Sequence, residues 1–116
     1  MEGQGMQQAL NEYKEGIGQL AKHLPEVASA YNKFTSACFS EGELSLKEKH
    51  LIALALGIYS NDEYCIIYHA KGAVDNGASD KEMLEAAGVS AAFGGGMAMS
   101  QAVTVLIDAL NEFKQA

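Results

Sequence analysis

The sequence predicts an all-α fold, a compact domain of six helices. Three observations carry that expectation. Apolar residues recur at helical spacing through most of the chain, two Ser-x-x-Glu capping boxes begin at Ser45 and Ser79, and no segment alternates apolar and polar residues as a strand would. At 116 residues the chain suits a single domain spanning 1–116.

Residues 1–5, with Gly3 and Gly5, read as a frayed start. Met6 to His23 reads as the first helix, with Leu10, Tyr13, Ile17 and Leu20 on one stripe; Gly16 and Gly18 weaken it or permit close packing. Pro25 suits the first helical position, where its missing N–H is not needed, and opens a second helix to about Phe39. Val27, Ala30, Tyr31, Phe34 and Cys38 share the apolar side of that helix. A polar link, Ser40 to Leu44, leads to the capping box Ser45-Leu46-Lys47-Glu48 and a third helix to about Tyr59. Ser60-Asn61-Asp62 is turn chemistry, with Asp62 as N-cap of a fourth helix to about Asn76 and Gly77 at its C′ position. Ser79-Asp80-Lys81-Glu82 opens the fifth helix, Gly94-Gly95-Gly96 ends it, and the sixth runs from about Met97 to Lys114.

Charge narrows the function classes. The chain has no arginine, eight lysines against fifteen acids, and a formal net charge of −7. That balance argues against nucleic acid and against anionic membrane surfaces, both of which reward basic patches. Without arginine there is no bidentate clamp for phosphate or carboxylate, so lysines or helix N-termini must hold any anion. The longest strongly apolar run, Leu51 to Tyr59, falls far short of the roughly 20 residues that span a bilayer. No basic region followed by an apolar core opens the sequence, and two cysteines do not make a disulfide scaffold, so a cytoplasmic protein is expected. The third and sixth helices are apolar around more than one face, which calls for burial between subunits of a homo-oligomer.

The chemistry concentrates at Cys65 and His69. A spacing of four places both on one helical face near a helix start. The partial positive charge there favours a thiolate, and an adjacent imidazole can accept the thiol proton, the arrangement of an activated nucleophile. Simple packing of a buried cysteine and histidine is the alternative. Asp62 reads as the helix cap; as a carboxylate near Cys65 it would raise the thiol pKa. Tyr64 and Tyr68 flank the pair and could offer hydroxyls to a pocket or merely pack. His50 lies in the first turns of the third helix, where an exposed surface histidine is one reading. Cys38 could resolve an oxidised Cys65 only if folding brings their Cα atoms within about 7 Å. His23 has no partner pattern, and no His/Cys cluster has the four-ligand spacing of structural zinc, so neither a metal nor a cofactor is expected. The Gly94–Gly96 run lacks the context of a phosphate loop.

The run Glu63-Tyr64-Cys65-Ile66-Ile67-Tyr68-His69, followed by Ala73, Gly77-Ala78-Ser79 and Glu82, resembles the signature segment of the alkylhydroperoxidase D-like / carboxymuconolactone decarboxylase family. The resemblance covers roughly residues 25–110. It implies a small all-helical protein that forms a homotrimer or homohexamer. It also implies a peroxidase branch that reduces peroxides with a Cys-x-x-Cys pair and a histidine. Here Asp62 stands where that branch has its other cysteine, and His50 where it has a glutamate. The decarboxylase branch keeps the histidine and lacks the cysteine. The expected function is a thiol-dependent, peroxidase-like antioxidant protein. Cys65 would attack a hydroperoxide, His69 would accept its proton, Asp62, Tyr64 and His50 would surround them, and an external thiol or Cys38 would reduce the product. The alternatives are a decarboxylase-type acid–base enzyme using His69 and His50 on a small carboxylated substrate, and a non-enzymatic oligomer.

Overall fold

A computed structural model describes residues 5–115. The chain runs through α1 (Gly5–His23), α2 (Pro25–Cys38), α3 (Leu46–Tyr59), α4 (Glu63–Asp75), α5 (Asp80–Gln101) and α6 (Ile107–Gln115), with a π-helical turn at Ala102–Leu106 joining the last two. No strand occurs among the described residues. The frayed start expected for residues 1–5 falls mostly outside them, and Gly5 is already helical.

The expected caps form as local chemistry dictates. The Ser45 hydroxyl accepts from Glu48 N at 3.0 Å while the Glu48 carboxylate accepts from Ser45 N at 2.8 Å. Ser79 and Glu82 repeat the exchange at the start of α5. The Asp62 carboxylate accepts from Cys65 N at 3.1 Å and so caps α4. Between α3 and α4, Asn61 takes a left-handed φ of 60°, and its side chain accepts from Gln101 Nε2 on α5.

The helix count differs from expectation. Gly95 adopts φ 68°, ψ −146°, a conformation that side-chain-bearing residues rarely adopt. The bend is absorbed at that one residue, and helical structure continues on both sides. Residues 80–115 are therefore one kinked rod carrying a π-helical turn, which makes five rods rather than six separate helices.

The core lies where α3 and α4 pack together under α5. Leu54 and Ile58 of α3, Ile66 and Ile67 of α4, Met83 of α5 and Leu106 are fully buried. The α3–α4 approach is close because Gly57 faces Cys65: a Cβ there would lie 3.1 Å from Cys65 Cβ. The α1 start is tied to α6 by Glu112, whose carboxylate accepts from Met6 N and Gln7 N, two of the donors a helix start leaves unpaired. By length and composition the stretch Asp80–Lys114 could cross a membrane. Met83, Ala87, Ala98, Leu106, Ala109 and Leu110 within it belong to the core, although only 22% of its most apolar window is buried.

Two apolar faces stay open. Along α2 only Ala28 is buried, while Val27, Tyr31 and Phe34 are exposed. Ile52, Leu56 and Tyr59 of α3 and Val89, Phe93 and Met97 of α5 are exposed as well, with Phe93 at 83%. The apolar circumference of α3 is thus only partly hidden by its own chain.

Candidate active site

A pocket of about 800 Å³ opens between the α1–α2 hairpin and the α3–α4 pair. Its walls are Tyr13, Ile17, Tyr31, Phe39, Leu46, Tyr64 and Tyr68; Lys14 and Asp62 are the charged residues among those lining it; and Cys65, His69 and His50 supply its reactive atoms. Folding brings Cys65, His69, His50, Tyr64 and Asp62 to this one pocket, but not Cys38.

The electrostatics reverse one expectation. Burial, then a side-chain hydrogen bond with Asp62, then the Asp62 charge push the Cys65 thiol up to about 11. A half-buried thiol beside a carboxylate stays protonated, and the helix N-terminus does not compensate. Asp62 therefore serves both roles read for it. It caps α4 through Cys65 N and engages the thiol of the same residue.

His69 does not pair with Cys65. Its Nδ1 lies 3.1 Å from Nδ1 of His50, across the α3–α4 contact. Burial, followed by the neighbouring His50, brings His69 down to about 4, with Asp62 opposing weakly. His50 is buried rather than on the surface, and burial also lowers its pKa against the pull of Asp75. Both rings are neutral at pH 7.

Tyr64 lines the pocket with its ring, but its hydroxyl donates to Glu12 Oε2 on α1 at 3.2 Å, and that bond raises its pKa. Tyr68 meets His69 edge-on, with centroids 5.1 Å apart. Cys38 is exposed and unbridged and does not line the pocket. Its carbonyl accepts from Lys49 Nζ at 2.9 Å. His23 is exposed at the end of α1.

Three contributors were not read from the sequence. Phe39, at the C-cap of α2, stacks on His69 with centroids 5.2 Å apart and planes at 15°, and lies 5.1 Å from the His50 ring. Tyr13 reaches in from α1, its ring centroid 6.3 Å from those of Tyr64 and Tyr68. Gly72 provides the floor beneath His50. A glycine in the middle of α4, one turn beyond His69, was the available signal for the last of these.

Comparison with known proteins agrees with this fold. The profile of the carboxymuconolactone decarboxylase family matches residues 25–108. An uncharacterised protein of Cupriavidus necator is 29% identical over 104 residues, covering 88% of this chain and 92% of its own. The apo crystal structure of a carboxymuconolactone decarboxylase family protein from Legionella pneumophila superposes with a TM-score of 0.86 at 26% identity, covering 97% of this chain and 96% of that one. A Thermotoga maritima family member, for which a part in an antioxidative response has been suggested, has the same fold with a TM-score of 0.74 at 24% identity, over 90% of this chain and 86% of that one.

Proposed function

The chain belongs to the carboxymuconolactone decarboxylase family, and from that premise we propose that it is a thiol-dependent reductase of organic hydroperoxides acting through Cys65. The observation that carries this reading is that Cys65 and Asp62, joined through the Cys65 N–H at 3.1 Å, line the same aromatic pocket. Roughly one such thiol in ten thousand is ionised at pH 7, so attack through a standing thiolate is slow. General-base assistance removes the need for one. As Sγ bonds to the terminal peroxide oxygen, the O–O bond breaks and the thiol proton passes toward Asp62. The departing alkoxide takes up one proton, supplied through Asp62 or the neighbouring imidazole N–H. Sulfur is oxidised to sulfenic acid, the peroxide is reduced to an alcohol, and two equivalents of an external thiol return Cys65 to the reduced state. The walls of Tyr13, Ile17, Tyr31 and Phe39 suit an uncharged organic body. In this reading the protein works as a cytoplasmic homo-oligomer.

A second reading is favoured by a separate observation, the hydrogen-bonded neutral pair His50–His69. One ring of such a pair donates and the other accepts, which suits proton transfer on a small carbon acid, with Lys14 as the cation lining the pocket. Hydroperoxide consumption in the presence of a dithiol separates the two. Wild type should turn over and Cys65→Ser should not. Equal rates in both proteins would reject the thiol reading and leave the site to acid–base chemistry.

A further inference from the structure

We propose that Gly72 and Phe39 are positioning residues that clamp the His50 and His69 imidazoles into one proton-sharing unit beside Cys65. The proposal rests on reading this pocket as the reactive site, but its geometry stands independently of which substrate enters.

The His50 ring occupies the space a side chain at position 72 would fill. A Cβ built on Gly72 would fall against the imidazole, 2.5 Å from Nδ1 and 2.8 Å from Nε2. Real Cβ atoms do not come that near, so any residue other than glycine displaces the ring. Gly72 lies in the interior of α4, where glycine is the least favourable residue after proline, and its φ is ordinary. Its presence there follows from the ring it admits rather than from the backbone.

Phe39 packs against both rings. Its ring stacks on His69 at 15° and tilts over His50 at 32°. Held by these two contacts, the rings meet through their Nδ1 atoms at 3.1 Å.

That meeting fixes the tautomers. One Nδ1 carries the hydrogen and the other supplies the lone pair. The two Nε2 atoms are then complementary, one a lone pair and one an N–H. A proton arriving at the first Nε2 is matched by transfer across the Nδ1–Nδ1 bridge and release from the second Nε2. The pair ends neutral with its roles exchanged, and neither ring has to turn. Asp62 and Asp75 bear on the two rings and favour protonation, while burial opposes it.

The test is two-bond proton–nitrogen correlation on protein labelled with ¹⁵N-histidine, with exposed His23 as the internal reference signal. In wild type, His50 and His69 should carry opposite tautomers and both titrate below the ordinary imidazole value. Gly72→Ala should abolish the opposition and raise both midpoints by roughly one unit or more, as the rings regain solvent. Phe39→Leu should raise them also. Gly88→Ala, at an exposed glycine with nothing within 4 Å of a Cβ, should change neither. Identical tautomers on the two wild-type rings would overturn the proposal, as would a folded Gly72→Ala with an unaltered titration. If circular dichroism shows that Gly72→Ala does not fold, an unaltered titration in Phe39→Leu overturns it alone. Opposite tautomers in a protein inert toward hydroperoxides would reject the peroxidase reading and leave the clamp intact.

Discussion

Asp62, three residues before Cys65 at the start of α4, is the charged group that raises the Cys65 thiol pKa, while His69 one turn later pairs with His50. The same carboxylate caps the helix through the Cys65 backbone N–H. One side chain thus sets both where the helix begins and how readily its cysteine ionises.

Alkylation of Cys65 should therefore be slow at neutral pH and accelerate toward about 11, above the ordinary range for cysteine. Asp62→Asn removes the charge but keeps an N-cap of equal quality, so the fold should hold while the midpoint drops. Iodoacetamide rates from pH 6 to 11 on a Cys38→Ser background read this out. A midpoint that stays put in Asp62→Asn would show that burial alone holds the thiol.

Asp62→Cys should raise peroxide turnover. It places a second thiol three residues before Cys65, able to form the disulfide that protects a sulfenic acid from further oxidation; with the carboxylate gone the Cys65 thiol also ionises more readily, which offsets the loss of Asp62 as a base. Loss of the cap should cost about 1 kcal/mol, seen as a lower urea midpoint. A folded variant whose turnover does not exceed wild type would contradict this account of why the site is slow.

Acid should destabilise the protein before its carboxylates titrate. Both His50 and His69 have folded pKa values below the unfolded value near 6.5, His69 at about 4. Above pH 6.5 both are neutral folded or unfolded, and their contribution is fully present. As pH falls toward 4, the unfolded chain binds protons that the folded chain excludes, and stability is lost. Urea midpoints should decline from pH 6.5 to 5 and decline less in His69→Gln. A flat wild-type profile across that window would contradict the burial of the pair.

The uncovered faces of α3 and α5 predict self-association. Light scattering at micromolar concentration should give a multiple of the 12.3 kDa chain, three or six copies. Phe93→Lys, at a side chain 83% exposed in the single chain, should lower that mass without unfolding the subunit. A wild-type monomer would mean that these apolar residues face water.

Residues close in sequence announced most of the fold and part of the site. Ser45 with Glu48, Ser79 with Glu82, Asp62 at the head of α4 and Gly77 behind it are interactions within a few residues, so their pattern is written in the chain. The shared face of Cys65 and His69 follows from helix periodicity in the same way. The glycine run was legible as a break but not as a bend absorbed at one residue, because a triple glycine permits both.

What His69 actually touches was settled elsewhere. His50 stands 19 residues away on α3, and Phe39 arrives from the end of α2. The slot over Gly72 exists only once α3 lies against α4. Desolvation, which holds Cys65 protonated and both imidazoles neutral, depends on how many groups from distant segments surround each atom. A sequence fixes local hydrogen-bond partners through short loops and helix turns, whereas solvent exclusion is a property of the packed whole, and so the helices could be read from the chain while the protonation state of the site required the fold.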